Sequence, residues 1–416
     1  MISVLALRSL WLVTASLPQG HRTSTGFPQR MLTLQINEID TTLKRGSPMT
    51  KETTTMPFDK HTRLIVRERE PFNAEPSPDL LRQAPITPNE LFFVRNHAAV
   101  PVVDAVAYRL LVDGMVDKSL TLTLDDIKRA FPKRTVTATL QCAGNRREDF
   151  MKIEEIPGEV AWGADAISNA VWAGAALRDV LAAAGVHDKA AHAAFVGLDE
   201  VEKRNERFGF GGSIPLEKAL NGEVLLAYEM NGEPLPMVHG FPLRAVVPGY
   251  IGARSVKWLE RIKLQTEPSD NYYQAHAYKL FPPHVRAETA DWENALTLGE
   301  QSLNAVICQP ADGTTLEKGA VVIQGYAVAG GNRRVERVDV SIDGGETWKV
   351  ADWESENQNW AWRFWQARIE LPPGAQQIVV RAWDSAANTQ PEDARHIWNF
   401  KGYMNNAWHR VNVIQK

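Results

Sequence analysis

The hydrophobic positions between residues 89 and 270 change their spacing several times. Apolar and polar residues alternate over Thr135–Leu140, which predicts a strand. Leu177, Val180 and Leu181 share one face at helical spacing, and Gly185 is a typical residue after a helix end, so a helix is predicted over 174–184. Mixed strands and helices of this kind predict an α+β domain over residues 89–270.

Beyond residue 300 the pattern changes to short strands separated by turns. Val338, Val340 and Ile342 alternate with polar residues, and Asp343-Gly344-Gly345 then predicts a hairpin turn. Strands of this length over residues 301–416 predict an all-β immunoglobulin-like sandwich, without the disulfide of that fold because only Cys308 is available. Residues 271–300 are predicted to connect the two domains.

Two segments precede the predicted α+β domain. Residues 1–48 contain no acidic residue before Glu38, and their arginines lie among Ser, Thr and Leu, a bias that resembles an organelle transit peptide. Alternatively, residues 1–48 lie upstream of a true start at Met49 or Met56, or are simply disordered. On either interpretation the segment is predicted to be disordered or cleaved. Residues 49–88 are punctuated by proline and are predicted to form an extended arm that lies on a domain.

Composition and charge exclude several classes of function. The chain has 416 residues, of which 44% are hydrophobic and 23% charged, and its net charge is −4. Neither nucleic acid nor an anionic membrane surface is therefore an expected partner. No apolar run approaches the roughly 18 residues of a membrane-spanning helix. We expect a soluble, cytoplasmic protein, or a mitochondrial or periplasmic one if residues 1–48 are a targeting peptide.

The strongest chemical signal is the segment Leu140–Arg147. A predicted strand delivers Cys142, Gly144 and Asn145 turn the chain, and two arginines follow. Guanidinium groups beside a thiol are expected to lower its pKa and to favour the thiolate, which ligates metals. The same guanidinium groups suit a small oxyanion. The alternative is that Cys142 only fills space in the core.

This segment resembles the cysteine loop of the sulfite oxidase family of molybdenum enzymes. Four further segments resemble that family in the same order, and the resemblance runs from about Phe92 to the C-terminus. They are Phe92–His97, His239–Arg244, Gly252–Leu259 and Asn406–Arg410.

The resemblance implies a molybdenum–molybdopterin cofactor and assigns residues to it. Cys142 is expected to ligate molybdenum, a soft thiolate being suited to such a site, while Arg95 and Arg147 hold the substrate anion and Trp162 and Phe210 lie in the pocket. The residues expected to bind the pterin cofactor are Phe93, Val94, Arg95, Asn96, His97, Cys142, Asp199, His239, Arg244, Ser255, Val256 and Lys257.

The chain departs from the family pattern at two positions. Family members that oxidise sulfite usually have a tyrosine where this chain has Phe210, and animal members have an arginine where Gln358 stands. Both changes remove a donor to a bound anion, so low activity on sulfite is expected.

The resemblance implies an oxidoreductase that converts sulfite, or a similar small oxyanion, to its oxidised product. No haem is expected, because no C-x-x-C-H motif is present and the residues before Phe92 are too few for a haem module. Electrons are therefore expected to pass to oxygen or to a carrier protein such as a cytochrome c. The C-terminal domain resembles the family's dimerisation domain, so a homodimer is expected. The alternatives are another reaction on the same scaffold, such as nitrate reduction, and a non-catalytic cofactor-binding protein.

Overall fold

The computed structural model describes residues 56–416, so the predicted N-terminal extension and the start of the arm lie outside the described residues. The described part of the arm contains a short hairpin and one helical turn, where the sequence predicted only extended chain. The hairpin is closed by antiparallel pairing of Ile65 with Glu75, and its second strand is fully buried. These elements are β1 (Ile65–Glu68), β2 (Asn73–Glu75) and α1 (Pro78–Leu81).

The next part of the chain folds into two five-stranded sheets with four α-helices around them. In chain order the elements are β3 (Leu110–Gly114), β4 (Leu120–Leu122), α2 (Leu124–Ala130), β5 (Lys133–Gln141), α3 (Arg147–Met151), β6 (Ile167–Ala176), α4 (Leu177–Ala184), β7 (His192–Lys203), β8 (Glu206–Pro215), α5 (Leu216–Ala219), β9 (Leu225–Met230), β10 (Glu233–Pro234), β11 (Arg244–Val246) and β12 (Leu259–Gln265).

The first sheet has the order β10-β9-β6-β5, with β11 also paired to β9, and the second has the order β4-β3-β12-β7-β8. Only the pairing of β12 with β3 is parallel; the other pairings are antiparallel. One apolar core joins both sheets and α4, and it includes Leu226, Phe195, Ile262 and Leu181. Mixed sheets and helices around one core agree with the predicted α+β class.

Local sequence explains several of these elements. Thr123 and Asp126 form a reciprocal capping box at the start of α2, which fixes the residue at which this helix begins. Asn231 and Gly232 both have positive φ (54° and 84°), the geometry of a tight two-residue hairpin turn between β9 and β10. Helix α4 begins at Leu177 and not at residue 174, because Gly174 to Ala176 continue strand β6 into pairing with β9.

The segment between the two domains contains one small hairpin and a single wide π-helical turn, Tyr273–Ala277. The hairpin strands are β13 (Lys279–Leu280) and β14 (Leu296–Thr297). Single 3₁₀ turns lie at Pro57–Asp59, Met237–His239, Gly252–Arg254, Ala287–Thr289 and Ala394–His396.

The C-terminal part is a sandwich of two β-sheets, as the strand pattern predicted. Its sheets have the orders β15-β17-β21-β20 and β16-β23-β22-β18-β19, and they enclose a core that includes Ile323, Trp365 and Val380. The strands are β15 (Asn304–Gln309), β16 (Thr314–Leu316), β17 (Ala320–Val328), β18 (Val335–Ser341), β19 (Lys349–Val350), β20 (Asp352–Trp353), β21 (Arg363–Glu370), β22 (Gly374–Asp384) and β23 (His409–Gln415).

The sandwich packs against the first domain through the outer face of its four-stranded sheet. Tyr326, Trp362 and Phe364 of that face form an apolar cluster with Ile167 of β6 and Leu81 of α1. The Tyr326 hydroxyl donates a hydrogen bond to the carbonyl of Ala164 (2.6 Å), and the Trp362 indole donates to the carbonyl of Pro85 (2.8 Å). Both faces of this sheet are therefore buried along β15 and beside it at residues 325–328 and 363–365, whereas the far ends of β17 and β21 are partly exposed.

Within residues 56–416, the structure contains no helix with the length and apolar character needed to cross a membrane.

We predict that Tyr326→Phe destabilises the protein without disturbing the packing of the ring. The variant leaves the Ala164 carbonyl and the Asn145 side-chain amide, which donates to the same hydroxyl at 3.3 Å, without their partner. Loss of one buried hydrogen-bonding group costs about 1–3 kcal/mol. The expected result is a lower midpoint of thermal unfolding, with Tyr272→Phe as the matched control. Equal midpoints for both variants would show that these bonds contribute nothing to domain docking.

Candidate functional site

One cavity lies between the two sheets of the first domain. It encloses about 680 Å³, counted with its opening to solvent, which is within the usual range of cofactor sites. Its wall contains five side chains that carry or can carry a positive charge, but only one carboxylate. The lining residues are Phe92, Phe93, Arg95, Asn96, His97, Leu140, Cys142, Ala143, Asp199, Phe210, His239, Arg244, Gly252, Ala253, Ser255, Lys257, Trp258 and Tyr278.

Cys142 reaches the cavity because β5 ends at the residue before it. The thiol accepts a hydrogen bond from the backbone N–H of Gly144 (3.4 Å), as the chain turns back over the sulfur. The turn is held by Asn145, whose side-chain oxygen accepts from the N–H of Ala166 (3.0 Å). The sequence therefore placed Cys142 correctly at the end of a strand and at the start of a tight turn.

Neighbouring arginines lower the pKa of this thiol as expected, but the expectation that the thiol therefore ionises more easily is wrong. Cys142 is 6% exposed, and burial raises its pKa by more than Arg95 and Arg147 lower it. Arg146, which the sequence suggested as part of an arginine pair, points instead to the sandwich, where it donates to Asn304 (3.0 Å) and to the carbonyl of Ala407 (2.6 Å).

The segment from Phe92 to His97 forms one side of the cavity without being a regular strand, apart from a single bridge between Val94 and Ala74. Asn96 is fixed by the arm: its N–H donates to Asn73 (2.6 Å), and its side-chain amide donates to the carbonyl of Phe72 (2.9 Å). The remaining oxygen of Asn96 accepts from Lys257. The arm therefore orients a residue of the cavity wall.

The opposite end of the cavity is formed by buried cations. Arg244 is 4% exposed and donates to the carbonyls of His239 (2.8 Å) and Ser255 (2.9 Å), while its guanidinium lies over the Trp172 ring. Lys257 donates to the carbonyl of Val238 (3.0 Å). Burial and the other nearby cations hold the pKa of Lys257 well below its usual range, and Asp199 offsets only part of this.

Lys60 of the arm adds a further cation behind His239. Its ammonium group contacts Nε2 of His239 (3.1 Å) and donates to the carbonyls of Asn89 and Phe92, both at 2.6 Å. Burial lowers the pKa of Lys60 to about 7. Burial and the charges of Lys60, Lys257 and Arg244 also hold the pKa of His239 well below its usual value, so its imidazole is neutral.

Strands β7 and β8 supply the remaining wall. Asp199 and Phe210 lie where the pairing of β7 with β8 shifts register, and the N–H of Phe210 donates to the Asp199 carboxylate (3.3 Å). The Phe210 ring stacks on the imidazole of His97, with a centroid distance of 4.6 Å. Nε2 of His97 is hydrogen-bonded to the hydroxyl of Tyr278 (3.0 Å).

Four predicted site residues do not line the cavity. Val94 and Val256 pack into apolar cores, and Trp162 is fully buried, with no hydrogen-bond partner for its indole nitrogen among residues 56–416. Arg147 donates to the carbonyls of Val160 (2.7 Å) and Lys401 (3.2 Å). Its proposed contact with substrate stays a prediction. Gln358, where the resemblance placed a family arginine, is exposed and outside the cavity wall.

Lys60 and Tyr278 contact the site although the sequence did not predict them as site residues. Lys60 is 179 positions from His239, and Tyr278 is 181 positions from His97. The local sequence around Lys60 gives no indication of its contact with His239. The only available signal for Tyr278 was the aromatic character of the predicted connector.

The residues of the cavity fit an anionic cofactor that carries a metal. Arg95, His97, His239, Arg244 and Lys257 face the space, and Asp199 is the only carboxylate that residues 56–416 contribute to it. Cations buried without a counter-charge are strongly unfavourable. A phosphate-bearing ligand would supply this counter-charge through charge-assisted hydrogen bonds. Cys142, in the same wall, offers one soft ligand to a metal.

Comparison with known proteins identifies the class to which this fold and cavity belong. Residues 97–273 match the family described as oxidoreductase molybdopterin binding domain, and residues 297–416 match the molybdenum-cofactor oxidoreductase dimerisation domain. The chain therefore has the domain pair of the molybdopterin oxidoreductases.

Individual relatives narrow the class to one family. Mitochondrial sulfite oxidase of Rattus norvegicus is 48% identical over 365 residues, which cover 85% of this chain and 66% of the rat protein. Sulfite oxidase of Arabidopsis thaliana is 42% identical over 373 residues, which cover 85% of this chain and 94% of the plant protein. The chain belongs to the sulfite oxidase family, although it spans only 66% of the length of the mammalian relatives it matches.

A solved structure agrees with this assignment. The sulfane dehydrogenase SoxCD of Paracoccus pantotrophus superposes with a TM-score of 0.72 at 26% identity, over 88% of this chain and 92% of that chain.

We predict that Lys60 makes the stability of the cofactor-free protein rise with pH. Below pH 7 Lys60 is protonated in both the folded and the unfolded chain; between about 7 and its ordinary value of 10.5 only the unfolded chain holds the proton. Folding is therefore favoured progressively as pH rises through this window. Urea unfolding of wild type and Lys60→Met at pH 7 and pH 9 measures the difference.

The stability of wild type relative to Lys60→Met is expected to increase between these two pH values. The exposed Lys118→Met serves as control and is expected to follow wild type at both. A constant difference between wild type and Lys60→Met would mean that the folded state does not alter the titration of Lys60.

Proposed function

We propose that the protein is a molybdenum-cofactor oxidoreductase that oxidises sulfite to sulfate. The observation that carries this proposal is a cavity that combines one thiol, Cys142, with five cationic or imidazole side chains facing one carboxylate. Membership in the sulfite oxidase family supports the substrate class. In the overall reaction sulfite gains one oxygen atom from water and releases two electrons and two protons.

Each side chain has a defined task in this proposal. When bound, the cofactor supplies the two-electron redox chemistry and the oxygen-atom transfer. Cys142 would ligate molybdenum as the thiolate, and Arg95 would hold the substrate anion beside it. Lys257, Arg244 and His239 hold the negatively charged end of the pterin.

The other assigned residues act through shape and hydrogen bonding. Asn96 and His97 lie along the cofactor, and Asp199 accepts hydrogen bonds from the pterin while orienting the backbone of Phe210. Ser255 is fixed by the N–H of Val247, which donates to its hydroxyl at 3.0 Å. Phe93 completes the wall beside the cofactor.

Electrons leave to oxygen or to a carrier protein such as a cytochrome c in this proposal, and no haem of this chain takes part. The printed sequence contains only two cysteines, Cys142 and Cys308, and lacks a C-x-x-C-H motif. The dimerisation-domain match over residues 297–416 supports a homodimer formed through the sandwich. We propose a cytoplasmic location, with a mitochondrial one as the alternative that the mitochondrial relatives favour.

We predict that protein purified from a host able to make the cofactor contains about one molybdenum per chain and oxidises sulfite with ferricyanide as acceptor. Arg95→Ala is expected to retain most of the metal and to lose sulfite turnover, because the cavity keeps its other cations but loses an anion donor beside Cys142. Metal analysis and turnover are measured on the same preparations. A cofactor-carrying protein would bind molybdenum but oxidise no sulfite, and absence of molybdenum would contradict the proposal altogether.

We predict that Phe210→Tyr increases kcat/KM for sulfite. Phe210 lines the cavity with its ring stacked on His97, so an added hydroxyl extends toward the bound anion. One hydrogen bond to an anion changes the transition-state free energy by about 1–3 kcal/mol, or roughly 5- to 150-fold. Phe208→Tyr, two residues earlier on the same face of β8, is the matched control. Fast sulfite turnover by loaded wild type, unchanged by Phe210→Tyr, would contradict the assigned importance of position 210.

A further inference from the structure

Lys60 lies behind the cavity wall, where all of its donors find acceptors. The residue follows the 3₁₀ turn Pro57–Asp59 of the arm and is only 5% exposed. An ammonium group has three N–H donors and no acceptor. The three donors of Lys60 meet the carbonyl oxygens of Asn89 and Phe92, both at 2.6 Å, and Nε2 of His239 at 3.1 Å. The position of the ammonium group is therefore defined by three acceptors, one of which is an imidazole of the cavity wall.

Apolar packing holds the arm against the same part of the wall. Val238, the residue before His239, is fully buried in a cluster with Leu64 and Phe72 of the arm. Lys60 is therefore part of a packed contact between the arm and the cavity wall, and its side chain is not that of a freely moving surface lysine.

The contact with Lys60 decides which nitrogen of His239 carries the proton. Burial and the nearby cations hold the pKa of His239 well below its usual value, so the imidazole is neutral and one of its nitrogens donates while the other accepts. Nε2 faces an ammonium group, which can only donate, and Nε2 must therefore accept. The proton is then on Nδ1, because the tautomer of a histidine is set by the hydrogen bond that its other nitrogen makes.

Nδ1 of His239 is open to the cavity. It forms no hydrogen bond with residues 56–416, and it is not among the polar atoms of this part of the chain that are buried without a partner. His239 lines the cavity together with Arg244 and Lys257. A proton on Nδ1 therefore offers a hydrogen-bond donor to an anion in the cavity, whereas a lone pair on Nδ1 would repel that anion.

The opposite tautomer has a partner as soon as Lys60 is removed. The carbonyl of Asn89, which accepts from Lys60, also lies within hydrogen-bonding reach of the His239 imidazole. Without the ammonium group, a proton on Nε2 is free to donate to this carbonyl. Nδ1 would then present its lone pair to the ligand, and the cavity would lose one donor without any change in its shape.

We propose that Lys60 is a positioning residue for the pterin cofactor: by donating to Nε2 of His239 it keeps the proton on Nδ1, so that the imidazole donates a hydrogen bond to the cofactor's phosphate. The inference rests on the proposed function for the identity of that phosphate. Lys60 does not line the cavity and acts on the ligand through His239. The arm therefore takes part in retaining the cofactor, although it does not touch it.

The first test reads the tautomer from the ¹⁵N shifts of the histidine side chains in the cofactor-free protein. Spectra are recorded at pH 6, below the pKa of Lys60 and above that of His239, and His239→Ala identifies the signals of this ring. Wild type is expected to carry the proton on Nδ1, and Lys60→Met is expected to carry it on Nε2. Lys60→Arg, which keeps a donor at this position, is expected to retain the wild-type tautomer.

Lys279→Met is the matched control for the loss of a buried lysine. The ammonium group of Lys279 donates to Thr297 (2.9 Å) and to the carbonyl of Ala295 (3.3 Å) within the connector hairpin. This variant is expected to keep the wild-type tautomer of His239. A proton on Nε2 in wild type, or the same tautomer in wild type and Lys60→Met, would overturn the inference. The wild-type spectrum alone can do so, even if Lys60→Met folds poorly.

The second test measures how tightly the loaded protein holds its cofactor. Molybdenum and pterin are followed in wild type, Lys60→Met, His239→Ala and the double variant after transfer to cofactor-free buffer. Lys60→Met is expected to lose pterin roughly 10- to 100-fold faster than wild type, the range for one hydrogen bond to a charged group. The double variant is expected to lose it no faster than His239→Ala, because Lys60 acts through this imidazole. Additive effects would mean that Lys60 acts by its charge or on the fold, and would contradict the inference.

Calorimetric titration of the cofactor-free protein with inorganic phosphate separates failure of this inference from failure of the proposed function. If wild type made in a host able to supply the cofactor contains neither molybdenum nor pterin, the proposed function fails. Lys60 keeps its role if wild type nevertheless binds phosphate at least tenfold more tightly than Lys60→Met does, with Lys279→Met unchanged. Equal affinity of wild type and Lys60→Met, or no binding to either, would then overturn the inference as well.

Discussion

The burial of positive charge around one cavity is the constraint on which the rest of this structure depends. Arg95, Arg244 and Lys257 share the space with two imidazoles and only one carboxylate. Removing such charges from water is strongly unfavourable unless a counter-charge is present. The folded chain therefore holds a site suited to an anionic ligand, and burial together with the neighbouring cations holds the pKa values of His239 and Lys257 well below their usual range.

Distant parts of the chain hold this unfavourable arrangement in place. The arm supplies Lys60 behind His239, and Asn73 fixes the backbone of Asn96. From the other side, the C-terminal segment supports the turn that follows Cys142: the N–H of Met404 donates to the carbonyl of Ala143 (2.7 Å), and Asn405 donates to that of Arg146 (3.0 Å). The C-terminal domain therefore helps to fix the position of the Cys142 thiol.

The sequence predicted those features of the fold that depend on the local pattern of residues. Helix α4 and strand β5 follow from the spacing of apolar residues, and the turn after Cys142 follows from Gly144 and Asn145. It did not predict what depends on burial or on long-range contacts. The sequence showed two arginines after Cys142. It did not show that burial would dominate the pKa of the thiol, or that the Arg146 side chain would bind to the sandwich. The position of Tyr278 in the cavity wall could not be predicted, because the π-helical turn that precedes it has no recognisable residue pattern.

The most direct test of the central claim is a crystal structure of the loaded protein, with diffraction measured on both sides of the molybdenum absorption edge. We expect one anomalous peak per chain at bonding distance from Sγ of Cys142, with electron density for a phosphate between Arg244, His239 and Lys257. A metal peak away from Cys142, or a phosphate bound elsewhere on the chain, would contradict the assignment of this cavity to the cofactor.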